Sequence, residues 1–153
     1  MSTRCQLVVQ GNEKVKIYQH SDGYPSGILP VLKEFLPKFK AGRGFDAKYL
    51  TAHLSAALIF ADQVSRVKYN LECIAKGEKP LFNEDYVGFL GHGLDGDWHV
   101  DIEYAYNITP DFGVEVYRVV RVSKAKNFFQ SKGCTLLHEY TLDELTKAET
   151  FKD

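Results

Sequence analysis

The sequence predicts an α+β fold: a mainly antiparallel sheet with helices packed on one face, a two-layer sandwich. Three observations carry this. Apolar alternation of period two marks the first twenty residues and recurs after residue 85, helical periodicity fills the middle, and tight turn chemistry joins neighbouring strands. The predicted order is β-hairpin, two helices, a meander of three or four strands and a short terminal helix, all in one domain spanning 1–153.

Arg4 to Gln10 alternates, with Cys5, Leu7 and Val9 on one face. Gly11-Asn12-Glu13 is a turn, and Lys14 to Gln19 alternates again with Val15 and Ile17 inward. Lys16, Tyr18 and His20 then share the opposite face. Ile28, Leu32, Phe35, Leu36 and Phe39 form a helical stripe for which Ser26 is the expected N-cap and Pro37 the expected stop or kink. Ala41 to Gly44 links it to the strongest helix signal. Asp46 is an N-cap, Phe45 can staple onto Leu50, and the stripe Leu50, Leu54, Ala57, Leu58, Ala61, Val64, Leu71 and Ile74 continues to Lys76, with Gly77 at the C-cap. About 30 residues at 1.5 Å each give roughly 45 Å, so the last turns are expected to bend or overhang. His53 falls on or beside this stripe and reads as a buried or boundary residue.

Tyr86 to Leu90 reads as a short strand and Gly91 to Asp97 as a glycine-rich turn. Trp98 to Ile108 alternates as one strand. Trp98, Val100, Ile102, Tyr104 and Tyr106 share one face, and His99, Asp101 and Glu103 the other. Thr109 to Gly113 is a hairpin loop, Val114 to Val122 a strand, and Lys124 to Lys132 an irregular loop or one helical turn. Cys134 to Glu139 is a final strand. Thr141-Leu142-Asp143-Glu144 is a capping box that opens a helix to Glu149.

Composition excludes several classes. With 19 basic and 20 acidic side chains the net charge is −1, which argues against nucleic-acid binding driven by overall charge. No apolar run approaches the length of a membrane span, and the N-terminus carries no signal-peptide core, so a cytoplasmic protein without membrane contact is expected. Cys5, Cys73 and Cys134 are odd in number and far apart, as free thiols in a reducing compartment would be. Cys134 with His138 is the only nearby thiol–imidazole pair, a weak case for a nucleophile.

The stretch His20-Ser21-Asp22-Gly23-Tyr24-Pro25-Ser26-Gly27 joins the second strand to the first helix. Pro25 fixes its own φ and holds Tyr24 extended, while Gly23 and Gly27 permit φ > 0. Together with Ser2-Thr3-Arg4 ahead of the hairpin, this loop resembles a group of small uncharacterised proteins of phages, plasmids and prokaryotic genomes. They open with an STR tripeptide and carry an H-x-D-G-Y-P-x-G loop. The likeness is specific over the first 30 residues and looser at Trp98 and Glu103-Tyr104-Ala105-Tyr106. It implies a viral or mobile-element setting and no chemistry.

Two chemistries compete. An anion or nucleotide pocket would use Arg4, Tyr18 and His20 from the hairpin, Asp22, Tyr24 and Ser26 at the helix N-terminus, and a stacking ring from Tyr24 or Trp98. The plainer reading of the same residues is structural, with Asp22 and Ser26 capping turns and Arg4 paired to Asp22. A divalent metal ion in a nuclease or phosphohydrolase would instead use His99, Asp101 and Glu103, which strand spacing puts on one face. A half-exposed sheet face predicts that pattern equally. The sequence is best read as a non-enzymatic accessory protein without a cofactor. It would bind a small anionic or nucleotide-like ligand, or a host protein, through the His20–Gly27 loop. The metal-dependent hydrolase is the first alternative, and a structural homo-oligomer built on the tyrosine-rich strands is the second.

Overall fold

The computed structural model describes residues 2–82, 91–124 and 126–153. The strand expected over 86–90 lies outside the described residues. The fold is α+β: a six-stranded, mostly antiparallel sheet with the helices against one face.

Strand β1 (Cys5–Val9) pairs antiparallel with β2 (Lys16–Gln19) in the register Cys5 to Gln19 and Leu7 to Ile17. Gly11, at φ 96°, makes the turn that the sequence places there. Helix α1 (Pro25–Arg43) begins earlier and ends later than the sequence suggests. Pro25 occupies the first turn, where its fixed φ suits a helix and its missing N–H costs nothing. The N-cap is therefore Tyr24, not Ser26. Pro37 does not stop α1, because Leu36 is fully buried in the core and Phe39 packs against it. Tertiary packing outweighs the one backbone bond lost.

Helix α2 (Ala47–Ala75) is capped by Asp46, whose carboxylate accepts the Tyr49 N–H at 3.3 Å. Gly77, at φ 73°, follows its end. Only the first half of the apolar stripe is inside. Leu50, Leu54 and Leu58 are buried, whereas Val64, Leu71 and Ile74 are 50–60% exposed. The helix outruns the sheet, as its length implied. His53 is exposed and lies at the edge of Phe39.

Strand β3 (His92–Asp95) replaces the expected glycine-rich turn and pairs with β2 at the sheet edge. β4 (Tyr104–Ile108) runs parallel to β1, and β5 (Val114–Val119) and β6 (Cys134–Tyr140) follow antiparallel. The strand order β3-β2-β1-β4-β5-β6 explains why Trp98 to Ile108 is not one strand. After β3 the chain must cross β2 and β1 to reach the place beside β1, and residues 96–103 make that crossing. Helix α3 (Leu142–Lys147) opens with the expected capping box, Thr141 Oγ1 accepting from Glu144 N and Glu144 Oε2 from Thr141 N.

The main core lies between sheet and helices, with Leu7, Ile28, Leu32, Leu54, Tyr106, Ile108 and Leu145 at its centre. The other sheet face is not simply polar. Ile102, Ala105, Tyr117, Val119 and Phe128 form a second apolar cluster under the crossing segment and a 3-10 turn at Phe128–Gln130. Cys5, Cys73 and Cys134 are all free. Burial drives the Cys5 thiol pKa far up and Cys134 up to about 11, which keeps both as inert thiols. His138 stands four residues along β6 from Cys134, roughly 13 Å away at strand rise, so the two do not form a pair. Among the described residues, no helix is long and apolar enough to cross a membrane.

Candidate functional site

Strand alternation sends Arg4, Gln6, Tyr18 and His20 to the face away from the helices, and the crossing segment descends onto them. Gln6 pins it: its amide accepts the His99 N–H at 2.8 Å and donates to the Asp97 carbonyl at 3.0 Å. Gln6 is fully buried, so those two bonds fix where His99 and Asp101 stand. The His99 ring then stacks on Tyr18, with centroids 4.4 Å apart.

A single cluster results. Arg4 Nε lies 3.3 Å from Asp101 Oδ2 and donates to His20 Nδ1 at 3.4 Å. The Tyr18 hydroxyl is 3.3 Å from the same His20 nitrogen, and Ser2 Oγ is 3.4 Å from Nε2 on the other side of the ring. His99 Nε2 donates to Asp95 in a short contact, while its Nδ1 is 3.9 Å from Asp101 Oδ1. The hydrogen bond from His99, aided by the Asp97 backbone N–H, holds the Asp95 carboxyl below the usual range. Burial, with Asp101 nearby, raises the Tyr18 phenol. The side chains of Arg4, His99, Asp95 and Asp101 are 34–43% exposed, so solvent and solutes reach the cluster. Beside it, Lys16 is buried, donates to the Glu13 and Gly96 carbonyls at 2.8 Å each, and covers the Trp98 ring.

The residues expected to share a ligand pocket are thus divided. Arg4, Tyr18 and His20 meet, and they meet His99 and Asp101 rather than the rest of their own loop. Asp22, Tyr24 and Ser26 face the helix side and line a separate cleft of about 320 Å³ with Gln19, Leu58 and Asp62. There the Tyr24 hydroxyl donates to Asp22 at 2.9 Å, which raises the Tyr24 pKa. Arg4 pairs with Asp101, so the expected Arg4–Asp22 pair is not formed. The helix N-terminus that could have received an anion already holds a carboxylate, because Asp153 accepts from Ser26 N at 2.7 Å and Ser26 Oγ at 2.9 Å. Trp98 is stacked on Phe128 at 3.9 Å and belongs to the second apolar cluster.

The loop itself is built on close approach rather than on left-handed glycines. The positive φ belongs to Asp22, at 57°, and neither Gly23 nor Gly27 has one. A Cβ on Gly23 would stand 2.8 Å from the Cys5 backbone N, and one on Gly27 would strike the Asp22 carbonyl. Gly23 N donates to the Thr3 carbonyl, and the buried Tyr106 hydroxyl donates to Gly23 O at 2.8 Å. These bonds staple the loop to the centre of the sheet.

Of the metal-site candidates, Glu103 leaves the group and pairs with Arg118 at 3.3 Å, while Arg118 lies over Tyr104. Among the described residues, no group of three or more His, Cys, Asp or Glu side chains is placed to hold a metal ion. Asp95 and Gln6 carry no sequence signal that marks them as site residues. Asp95 lies four residues before His99 but reaches it only because the chain turns between them, and Gln6 shares its strand face with Arg4. Comparison of the chain with family models, curated proteins and solved structures found no match.

Proposed function

We propose that this protein is a non-enzymatic binding module whose recognition surface is the Arg4–Tyr18–His20–His99–Asp101 cluster, and that it takes a small anionic, nucleotide-like ligand. One observation carries the reading. Polar groups from four separate stretches converge on one half-exposed patch on the sheet face away from the helices, next to a loop held rigid by Gly23 and Tyr106. Arg4 supplies a planar guanidinium whose Nε meets Asp101 at 3.3 Å. A phosphate or carboxylate would replace Asp101 there, and His20 offers a second polar contact. The exposed face of His99 extends the Tyr18 stack and gives a flat ring a place to lie. An accessory role in a phage or mobile element rests on the likeness of the first thirty residues, and a reducing cytoplasmic setting on the free cysteines.

A second reading, a metal-assisted phosphohydrolase using His99 and Asp101, is favoured by one fact: His99 stands between two carboxylates, Asp95 and Asp101. The two readings part in one experiment. Purified protein is titrated calorimetrically with inorganic phosphate, nucleoside mono- and diphosphates and cyclic nucleotides in EDTA. Binding is expected without chelator sensitivity. Arg4→Ala and His20→Ala should keep the fold and weaken binding roughly ten- to hundredfold, the worth of a charge-assisted hydrogen bond. Turnover of any of these compounds that needs Mg²⁺, Mn²⁺ or Zn²⁺ and disappears in Asp101→Ala would overturn the binding module.

A further inference from the structure

The distal half of α2 carries a pattern that its own fold leaves unused. Ala57, Phe60, Val64, Val67, Leu71 and Ile74 follow one another at spacings of three, four, three, four and three residues, the a and d positions of a coiled-coil seam. From Phe60 onward these side chains are 48–66% exposed. The opposite side of the same turns is partly covered, although Tyr69 there is still 47% exposed. Phe82 folds back against Tyr69 and Arg66, Asn70 exchanges two hydrogen bonds with the Phe82 backbone, and Cys73 is buried. Among the described residues, the chain has therefore partly shielded one face of an overhanging helix and left the heptad face open. That face runs into a groove of about 470 Å³ between α1 and α2, lined by Val31, Phe35, Ala57, Phe60, Ala61 and Val64.

We infer that this face pairs with the same face of a second copy of the chain, as an antiparallel two-helix seam. A strict heptad is the pattern of a helix that packs against another helix by knobs into holes, and a two-fold axis makes the one stripe complementary to itself. In the antiparallel register Ala57 meets Ile74, Phe60 meets Leu71 and Val64 meets Val67, each pair occurring twice. The small Ala57 thus receives a large partner, and the partner's Leu71 and Ile74 enter the α1–α2 groove. Charge agrees. The flanking e and g positions are Ala61, Gln63, Lys68 and Asn70, so Lys68 runs beside Ala61 of the other copy and no like charges meet. Among the described residues, the groove rim contributes as charges the neutral pair Glu34–Lys38. Five large side chains, each about half exposed or more, supply on the order of 500 Å² per copy. The groove brings the footprint towards the roughly 800 Å² per partner of a stable interface.

Sedimentation equilibrium of the full chain between about 5 and 100 µM tests this, with a dimer expected over that range. Val64→Glu and Leu71→Glu alter side chains exposed in the single chain. Each should leave the circular dichroism spectrum unchanged and raise the dimer dissociation constant roughly a hundredfold or more, because a carboxylate would be buried unpaired in the seam. Orientation is read by cross-linking. A mixture of Val64→Cys and Val67→Cys proteins should form a disulfide-linked pair on mild oxidation, above the level of either alone or of wild type. A wild-type monomer at 100 µM overturns the inference, whatever else the helix captures. So does a dimer indifferent to both glutamates, or one in which Val64→Cys links mainly to itself. None of these results bears on the ligand cluster, which lies on the other side of the sheet.

Discussion

Gly23→Ala tests how the loop is held. In the native fold the position lies against β1 at the centre of the sheet, where a Cβ would be 2.8 Å from both Cys5 Cβ and Cys5 N and 2.9 Å from the Arg4 carbonyl carbon. β1 cannot retreat, because it is bonded to β2 on one side and β4 on the other. The loop must move instead. Movement strains or breaks the Gly23–Thr3 backbone bond and withdraws the acceptor from the buried Tyr106 hydroxyl. Overpacking of this kind costs about 1–3 kcal/mol, and a buried hydroxyl left without a partner about 1–3 kcal/mol more, so the sum is roughly 2–6 kcal/mol. Urea denaturation followed by circular dichroism measures it. Gly93→Ala is the matched control, since a Cβ there would meet nothing within 4 Å. It should stay within about 1 kcal/mol of wild type. Equal midpoints for the two variants would refute the argument that close approach, rather than turn flexibility, requires glycine at 23.

Leu54→Ala removes a fully buried side chain from the main core and should cost about 2–5 kcal/mol in the same assay; a loss below about 1 kcal/mol would mean the wrong face of α2 has been placed inward. Asp95 gives an acid dependence with a definite sign. Its carboxyl is held below its ordinary range in the fold by the His99 hydrogen bond, so its contribution is present above the unfolded carboxyl pKa of about 3.9 and is lost as pH falls through the folded value. Asp95→Asn should therefore lower Tm at about pH 6 and lose that effect towards about pH 2. A difference between wild type and variant that is constant over this range would contradict the assignment.

Local physics made much of the fold readable. The hairpin at Gly11, the Asp46 cap, the Thr141–Glu144 box and the overhang of α2 each follow from residues within a few positions of one another. What could not be read is topology. The crossing of residues 96–103 depends on β4 lying beside β1, a pairing between residues a hundred positions apart, and no local pattern distinguishes it from a continued strand. The same crossing decides the site. It brings His99 and Asp101 onto Arg4, Tyr18 and His20, two groups that look unrelated in sequence. The loop motif was legible as rigid, but its glycines are required by the packing of Cys5 and Asp22 rather than by backbone angle. Ser26 gives its donors to Asp153, a residue far away in the chain that no local pattern points to.

The central claim, that the cluster around Arg4 and His20 is where a ligand binds, is tested most directly by the ring resonances of the five histidines. Side-chain nitrogen–proton correlation spectra are recorded while a nucleoside diphosphate is titrated into the protein in EDTA. His20, in contact with Arg4 and Tyr18, and His99, stacked on Tyr18, should shift together along one saturating curve. His53 on the outside of α2 and His138 on β6 should not move. In Arg4→Ala the same shifts should require roughly ten- to hundredfold more ligand. Binding that saturates while His20 and His99 stay fixed would contradict the account, because the ligand would then sit elsewhere on the molecule.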